Sequence, residues 1–276
     1  MTSLLAIIRL EVLFILGLLF PLLIQLFILY LASRGLWVFT QRFFGRWMWL
    51  ALALVGVPVH ELSHAVAFLL TGAGVRRIVL FAPHGLPEYG GATGVVVPAH
   101  PPSAFSRTVS SVAPFFGCSL AAWLILRLLL PGFEAIEVVM PSVPPDLMTN
   151  GSVETLSSAL VSYWQVLGRA LSQLQWFDWR TYLAIYLSAS LGMGAAPSAE
   201  DLKIFFPALA GILVVLIPIF ALMRALGDPE ATLATTQRAL CIPLQAIGSA
   251  LSYATAFTLI VLVVLLVLLP FWKLRR

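Results

Sequence analysis

The sequence predicts an all-α polytopic membrane protein with about six transmembrane helices and a small β-hairpin. Of its 276 residues, 61% are hydrophobic and only 10% are charged, whereas roughly a quarter of the residues in soluble domains are charged. Mean hydropathy is +1.00. The basic residues behind the net charge of +4 stand singly or in short pairs at the ends of apolar runs. Membrane anchors have this pattern, so we expect a lipid bilayer, and not nucleic acid, as the partner.

Six apolar runs account for the predicted spans. A helix of about 18 or more apolar residues can cross a hydrocarbon core of roughly 30 Å. The first run is too long for a cleavable signal peptide, so we expect it to be retained. The fourth is short and breaks near Ala196, because Pro197 disfavours a helical conformation in the residue before it. The predicted spans are 4–32, 47–72, 107–131, 182–197, 202–225 and 248–271.

Three of the five connections between these spans have a distinctive composition. Residues 76–99 hold two β-branched runs, 78–81 and 93–97, with prolines and glycines between them, which predicts a broad, membrane-associated hairpin. Residues 132–180 have soluble character and are expected to lie on the membrane surface as a connection.

Residues 226–246 carry charges and prolines, as an interfacial segment does. The predicted organisation is a first helix and loop (1–46), a catalytic core (47–225), and the interfacial segment with the last helix (226–276). With no sign of an organelle signal, we expect an integral, multi-pass protein in the cell membrane of a prokaryote.

The second run contains the motif HELSH, formed by His60, Glu61 and His64. Ionisable side chains at bilayer depth cost about 2.5–3.5 kcal/mol each on insertion scales, so they are functional candidates. On a helix, two histidines four residues apart share a face and can bind one metal ion. Glu61 then lies where its carboxylate can take a proton from metal-bound water, as in H-E-x-x-H hydrolases. A histidine pair satisfied by hydrogen bonds alone is the less favoured alternative.

A catalytic zinc normally has a third protein ligand. His84, Glu88 and His100 lie in or just beyond the hairpin, where exposure to solvent explains them. Asp201 follows the helix break at the junction of two apolar spans, where an acid is otherwise costly, and it is the favoured ligand. Glu200 is a weaker alternative. Asp201 can also serve the helix start, with Ser198 as the N-cap.

These residues resemble the site-2 protease family of intramembrane zinc metalloproteases, in its compact form without a PDZ-like domain. The resemblance covers roughly residues 47–225. It rests on HELSH within a span, the hairpin-like segment, an Ala113-Pro114 step opening the next span, and the late Asp201. It implies that His60, His64 and Asp201 bind one zinc ion and that Glu61 is the general base.

One departure from the family concerns the third ligand. At this position the family usually has the motif asparagine-proline-x-x-aspartate or leucine-aspartate-glycine. This sequence instead has Pro197-Ser198-Ala199-Glu200-Asp201.

The expected function is hydrolysis of peptide bonds in a membrane-protein substrate by a zinc metalloendopeptidase. An edge strand of the hairpin would hold the substrate in an extended form by β-augmentation. Gly90, Gly91 and Gly94 would let the substrate backbone approach, or they serve only as turn residues.

Two alternatives stay open. One is a membrane-anchored zinc protease acting on soluble segments, but apolar sequence flanks HELSH on both sides. The other is a non-proteolytic metal-binding membrane protein, such as a transporter or a scaffold. A transporter would be expected to show repeated halves.

Overall fold

The computed structural model describes residues 4–130, 133, 153–196, 199–226 and 247–268. The chain is mostly helical, with one two-stranded antiparallel sheet. The helices are α1 Leu4–Phe43, α2 Arg46–Ala53, α3 Gly56–Leu70, α4 Ala104–Leu129, α5 Val153–Ser172, α6 Trp179–Ala195, α7 Ala199–Leu226 and α8 Ile247–Leu268. The strands are β1 Val75–Val79 and β2 Val95–Pro98, with a 3₁₀ turn at Pro87–Tyr89 between them.

Within these described ranges, α4 and α8 are each long and apolar enough to cross a membrane. The pair α2 and α3 passes the same test as one span that is bent by 52° at its break. The predicted helical character and the presence of membrane-length helices are therefore confirmed.

The bend between α2 and α3 divides a segment, 47–72, that the sequence predicts as one helix. Its cause is Pro58, which has no N–H to donate to the carbonyl of Leu54 and whose ring collides with that carbonyl in a continuous helix. The first helix accordingly ends at Ala53, and the next begins at Gly56.

Side chains of α6 satisfy backbone groups at this break. The Ser190 hydroxyl oxygen accepts the N–H of Val55 at 3.2 Å and that of Gly56 at 2.9 Å. On the other side of the break, the Tyr186 hydroxyl donates to the carbonyl of Ala51 at 2.6 Å. Backbone groups without partners cost several kcal/mol in lipid, so a broken span needs partners of this kind from a neighbouring helix.

The centre of the bundle is α6, whose residues 188–195 are all buried. At 17 residues it is about 26 Å long, shorter than a typical span. Helices α3 and α4 pack against it. Its contact with α3 is very close: a Cβ on Gly56 would overlap the Ser190 carbonyl, and a Cβ on Gly194 would overlap the Gly56 carbonyl. The helix ends at Ala195, and Ala196 is extended, with φ −64° and ψ 123°. This is the break that the sequence predicts near Ala196.

The predicted hairpin is confirmed, with its strands shifted by a few residues. Val79 pairs with Val95 and Ile78 with Val96. Beyond the strands, the N–H of Ala82 still donates to the carbonyl of Thr93 at 2.6 Å. The hairpin is tethered to the start of α2 by Arg46, whose Nε donates to the carbonyl of Pro83 at 2.9 Å.

Two further segments differ from the sequence prediction. The connection 132–180 contains a helix, α5, whose Leu167 and Ala170 are buried together with Leu174, just beyond the helix, in a cluster with residues of α4, α6 and α8. Its other part, 134–152, and the predicted interfacial segment 227–246 lie outside the described residues. Pro114 does not open a span, because α4 begins ten residues earlier at Ala104, where the Ser103 side chain caps the helix.

Candidate metal centre

Three side chains from two helices converge at one point of the bundle. His60 and His64 lie one turn apart on α3, and Asp201 lies in the first turn of α7. One ligand atom from each residue falls within 4.8 Å of the others. Helix periodicity explains the histidine pair, whereas Asp201 reaches the pair only through tertiary packing.

The distances fit a single zinc ion. The Nε2 atoms of His60 and His64 are 3.0 Å apart. Asp201 lies 3.9 Å from the first of these nitrogens and 3.8 Å from the second, through different carboxylate oxygens. Ligand atoms at about 2.0–2.2 Å from one tetrahedral ion lie about 3.2–3.6 Å from one another. The observed separations bracket that range.

Hydrogen bonds fix the orientation and the tautomer of both imidazoles. Nδ1 of His60 donates to the carbonyl of Gly194 at 2.6 Å, and Nδ1 of His64 donates to the carbonyl of Ser110 at 2.9 Å. With the proton on Nδ1, each neutral ring directs the lone pair of Nε2 towards the other. Lone pairs that face each other at 3.0 Å repel unless a metal ion or a shared proton lies between them, and metal-binding histidines carry this kind of outer hydrogen bond.

The acceptor for His60 comes from the end of a helix. Gly194 is the second-last residue of α6, so its carbonyl has no partner within the helix. The close contact between Gly56 and Gly194 brings this carbonyl to the imidazole.

The donor set and its burial suit a catalytic metal. Two neutral imidazoles and one carboxylate could supply three protein ligands, which would leave a fourth position for water. Asp201 is only 8% exposed, and a carboxylate so deeply buried is costly unless it is paired or binds a metal. The His60 and His64 side chains retain 16% and 15% exposure, which leaves a route for a small molecule.

Glu61 lies beside this centre and against the hairpin. Its carboxylate faces Gly94, which is buried just before β2. A Cβ built on Gly94 would lie 2.5 Å from Cγ of Glu61 and 2.8 Å from Oε1. The absence of a side chain at position 94 therefore makes room for Glu61.

The other glycines that the sequence singles out have a different setting. Gly90 and Gly91 have φ of +65° and +81°, and a Cβ on either would meet no atom of the described part of the chain within 4 Å. Both are exposed residues of the turn that joins the strands.

The remaining candidate ligands lie away from the centre. His84 is exposed and packs edge-on against Trp47, with ring centroids 6.5 Å apart. Glu88 is exposed and pairs with Arg77 at 3.4 Å. His100 is exposed as well. The side chain of Glu200 lies outside the described part of the chain.

Sequence reasoning missed the groups that orient the ligands. Ser110 and Gly194 act through backbone carbonyls, which no residue pattern identifies directly. Signals were nevertheless available: Gly194 lies just before the predicted helix break, and Ser110 lies four residues before Pro114.

A scan against models of protein families, a search of curated proteins and a search of solved structures each found no match to this chain.

Proposed function

We propose that this protein is an intramembrane zinc metalloendopeptidase of the site-2 protease type. The observation that carries the proposal is the convergence of the two His Nε2 atoms, 3.0 Å apart, with the Asp201 carboxylate within 4 Å of both. The Nδ1 hydrogen bonds of both rings support it, because they leave Nε2 as the ligand atom of each.

We further propose that the chain crosses the membrane six times, through α1, the bent pair α2–α3, α4, α6, α7 and α8. Exposed apolar side chains support a lipid environment for α4, where they recur every fourth residue at Phe116, Leu120, Leu124 and Leu128. Helix α3, which carries the metal ligands, also exposes Leu62 to 50%. A site next to such surfaces suits a substrate that arrives through the bilayer, which we take to be the cell membrane of a prokaryote.

Zinc would be held by Nε2 of His60, Nε2 of His64 and a carboxylate oxygen of Asp201. When bound there, zinc supplies Lewis acidity, which polarises the scissile carbonyl and lowers the pKa of water to about 7. Glu61 takes one proton from the attacking water as its oxygen bonds to the carbonyl carbon. Glu61 then gives that proton to the amine nitrogen as the C–N bond breaks.

The hairpin supports a role in holding an extended substrate. A helical substrate hides its peptide bonds in its own hydrogen bonds, and an unwound segment in lipid needs new backbone partners. In the described sheet each strand pairs with one neighbour only, so each has an outer edge. Gly94, just before β2, lies against Glu61, which puts the start of this strand beside the proposed base.

Metal analysis and one substitution test the proposal. The purified full chain should contain about one zinc per molecule, and Glu61→Gln should keep that zinc while losing cleavage of a membrane-embedded helical substrate. Glu88→Gln, which alters an exposed hairpin glutamate, is the matched control and should keep both properties.

Full cleavage by Glu61→Gln would reject the base assignment, and absence of zinc from the wild-type protein would reject the metalloprotease. Zinc binding without cleavage of any membrane helix would favour a non-proteolytic metal-binding protein instead.

A further inference from the structure

The carbonyl that orients His64 belongs to a residue whose helical partner is a proline. Ser110 and Pro114 are four apart within α4, so in a regular helix the N–H of residue 114 would donate to the carbonyl of Ser110. Proline has no N–H, and its ring pushes the carbonyl four residues earlier away from the helix axis. This is the carbonyl that accepts the Nδ1–H of His64 at 2.9 Å.

We infer that Pro114 is a positioning residue of the metal centre: it keeps the Ser110 carbonyl available to His64. The inference rests on the proposed function, since it concerns the ligand set of the same zinc site. Pro114 acts through Ser110 and His64 and is not itself a ligand. It gives a function to a buried proline that would otherwise only weaken α4.

The packing of α3 on α4 supports this role. Gly117, three residues after Pro114 in α4, lies so close to α3 that a Cβ there would overlap the Ser63 hydroxyl. This close approach brings Ser110, which is only 4% exposed, to the ring of His64. The Ser110 hydroxyl lies 3.0 Å from the same Nδ1, so carbonyl and hydroxyl share one proton.

The two prolines inside α7 provide a contrast. Pro207 and Pro218 are both exposed. The carbonyl four residues before Pro218 is that of Val214, whose side chain is 71% exposed and thus on the outer surface of the bundle. Replacing Pro218 restores a helical N–H, as replacing Pro114 would. The carbonyl that this N–H would bind, however, accepts no hydrogen bond from His60 or His64.

The test measures zinc affinity of the full chain in detergent by competition with a chromophoric chelator. Pro114→Ala restores the N–H that competes for the Ser110 carbonyl, and we expect zinc binding to weaken about tenfold, the lower end of the range for groups that orient metal ligands. Pro114→Ser restores the same N–H with a different side chain and should behave alike. Nitrogen NMR of labelled histidine should show a smaller share of the Nδ1–H tautomer at His64.

Two controls separate this effect from packing. Cys118→Ala removes a buried side-chain atom from the same helix face, one turn further on, without changing any backbone hydrogen bond. Pro218→Ala restores a helical N–H far from the ligands. Both should bind zinc within about twofold of the wild type, because neither touches a ligand or a group that orients one.

The outcomes separate the inference from the proposed function. If the wild type binds zinc and Pro114→Ala binds it equally well, or if Cys118→Ala weakens binding as much as Pro114→Ala does, the positioning role is wrong and the metal centre stands. If the wild type binds no zinc, the metal centre and the positioning role both fail.

Discussion

Substitution of Gly94 by alanine should disable the proposed general base, Glu61, without disturbing the proposed zinc ligands. The new Cβ would lie 2.5 Å from Cγ of Glu61, whereas ordinary van der Waals contact begins near 3.4 Å. Because Cγ is in the middle of the side chain, Glu61 has to rotate at its base, and its carboxylate moves by about 1 Å or more. A displacement of this size costs about 100-fold in rate, or about 2.7 kcal/mol of activation free energy.

The assay compares turnover of a membrane-embedded helical substrate with zinc content, both measured on the same purified protein. Gly94→Ala should lose about 100-fold in turnover and keep its zinc, because the atoms nearest to the new Cβ all belong to Glu61 and none to a ligand. Gly90→Asn is the control. Gly90 has φ +65°, a Cβ added there would meet none of the described residues within 4 Å, and asparagine tolerates this conformation.

Turnover of Gly94→Ala within about threefold of the wild type, which is under 1 kcal/mol, would refute the reasoning. The carboxylate of Glu61 could then move without loss of turnover, and its contact with the hairpin would have no part in catalysis. If Gly90→Asn lost turnover to the same extent, the loss in Gly94→Ala would instead come from disturbance of the whole hairpin.

Three more predictions concern the metal centre and the helix break. Asp201→Asn should weaken zinc binding by at least about 100-fold in chelator competition, since it removes a charged ligand, whereas Glu88→Gln on the surface should not. Ser190→Ala should lower the free energy of unfolding by about 1–3 kcal/mol, because two backbone N–H groups lose their acceptor. Ser188→Ala, at an equally buried hydroxyl that has no hydrogen-bond partner among the described residues, should be nearly neutral in the same denaturation series. Removing zinc with a chelator should lower the thermal midpoint, by the equivalent of about 2.7 kcal/mol if zinc was present at 100 times its Kd.

The sequence predicts much of this architecture because the signals are local. Apolar runs predict where the long helices lie, and the i, i+4 spacing of His60 and His64 places both rings on one face. The break before Pro197 follows from the conformational restriction that a proline imposes on the preceding residue.

What the sequence does not predict depends on packing between distant elements. The break at Leu54 follows from Pro58, yet a long apolar run conceals it unless the missing N–H is traced to its acceptor. The contact between Glu61 and Gly94 joins a helix to a hairpin, and the acceptors for the imidazoles are backbone carbonyls. Such contacts leave no periodic trace in the sequence.

The repair of the broken second span by Ser190 has a consequence for biosynthesis. The acceptor is separated by 134 residues from the Gly56 N–H that it satisfies, so the ribosome delivers it long after it has made the two histidines of HELSH. A nascent chain that stops before α6 therefore holds the HELSH helix with its first turn uncapped and without Gly194 to align His60. The proposed zinc site should therefore be complete only after most of the chain has been made.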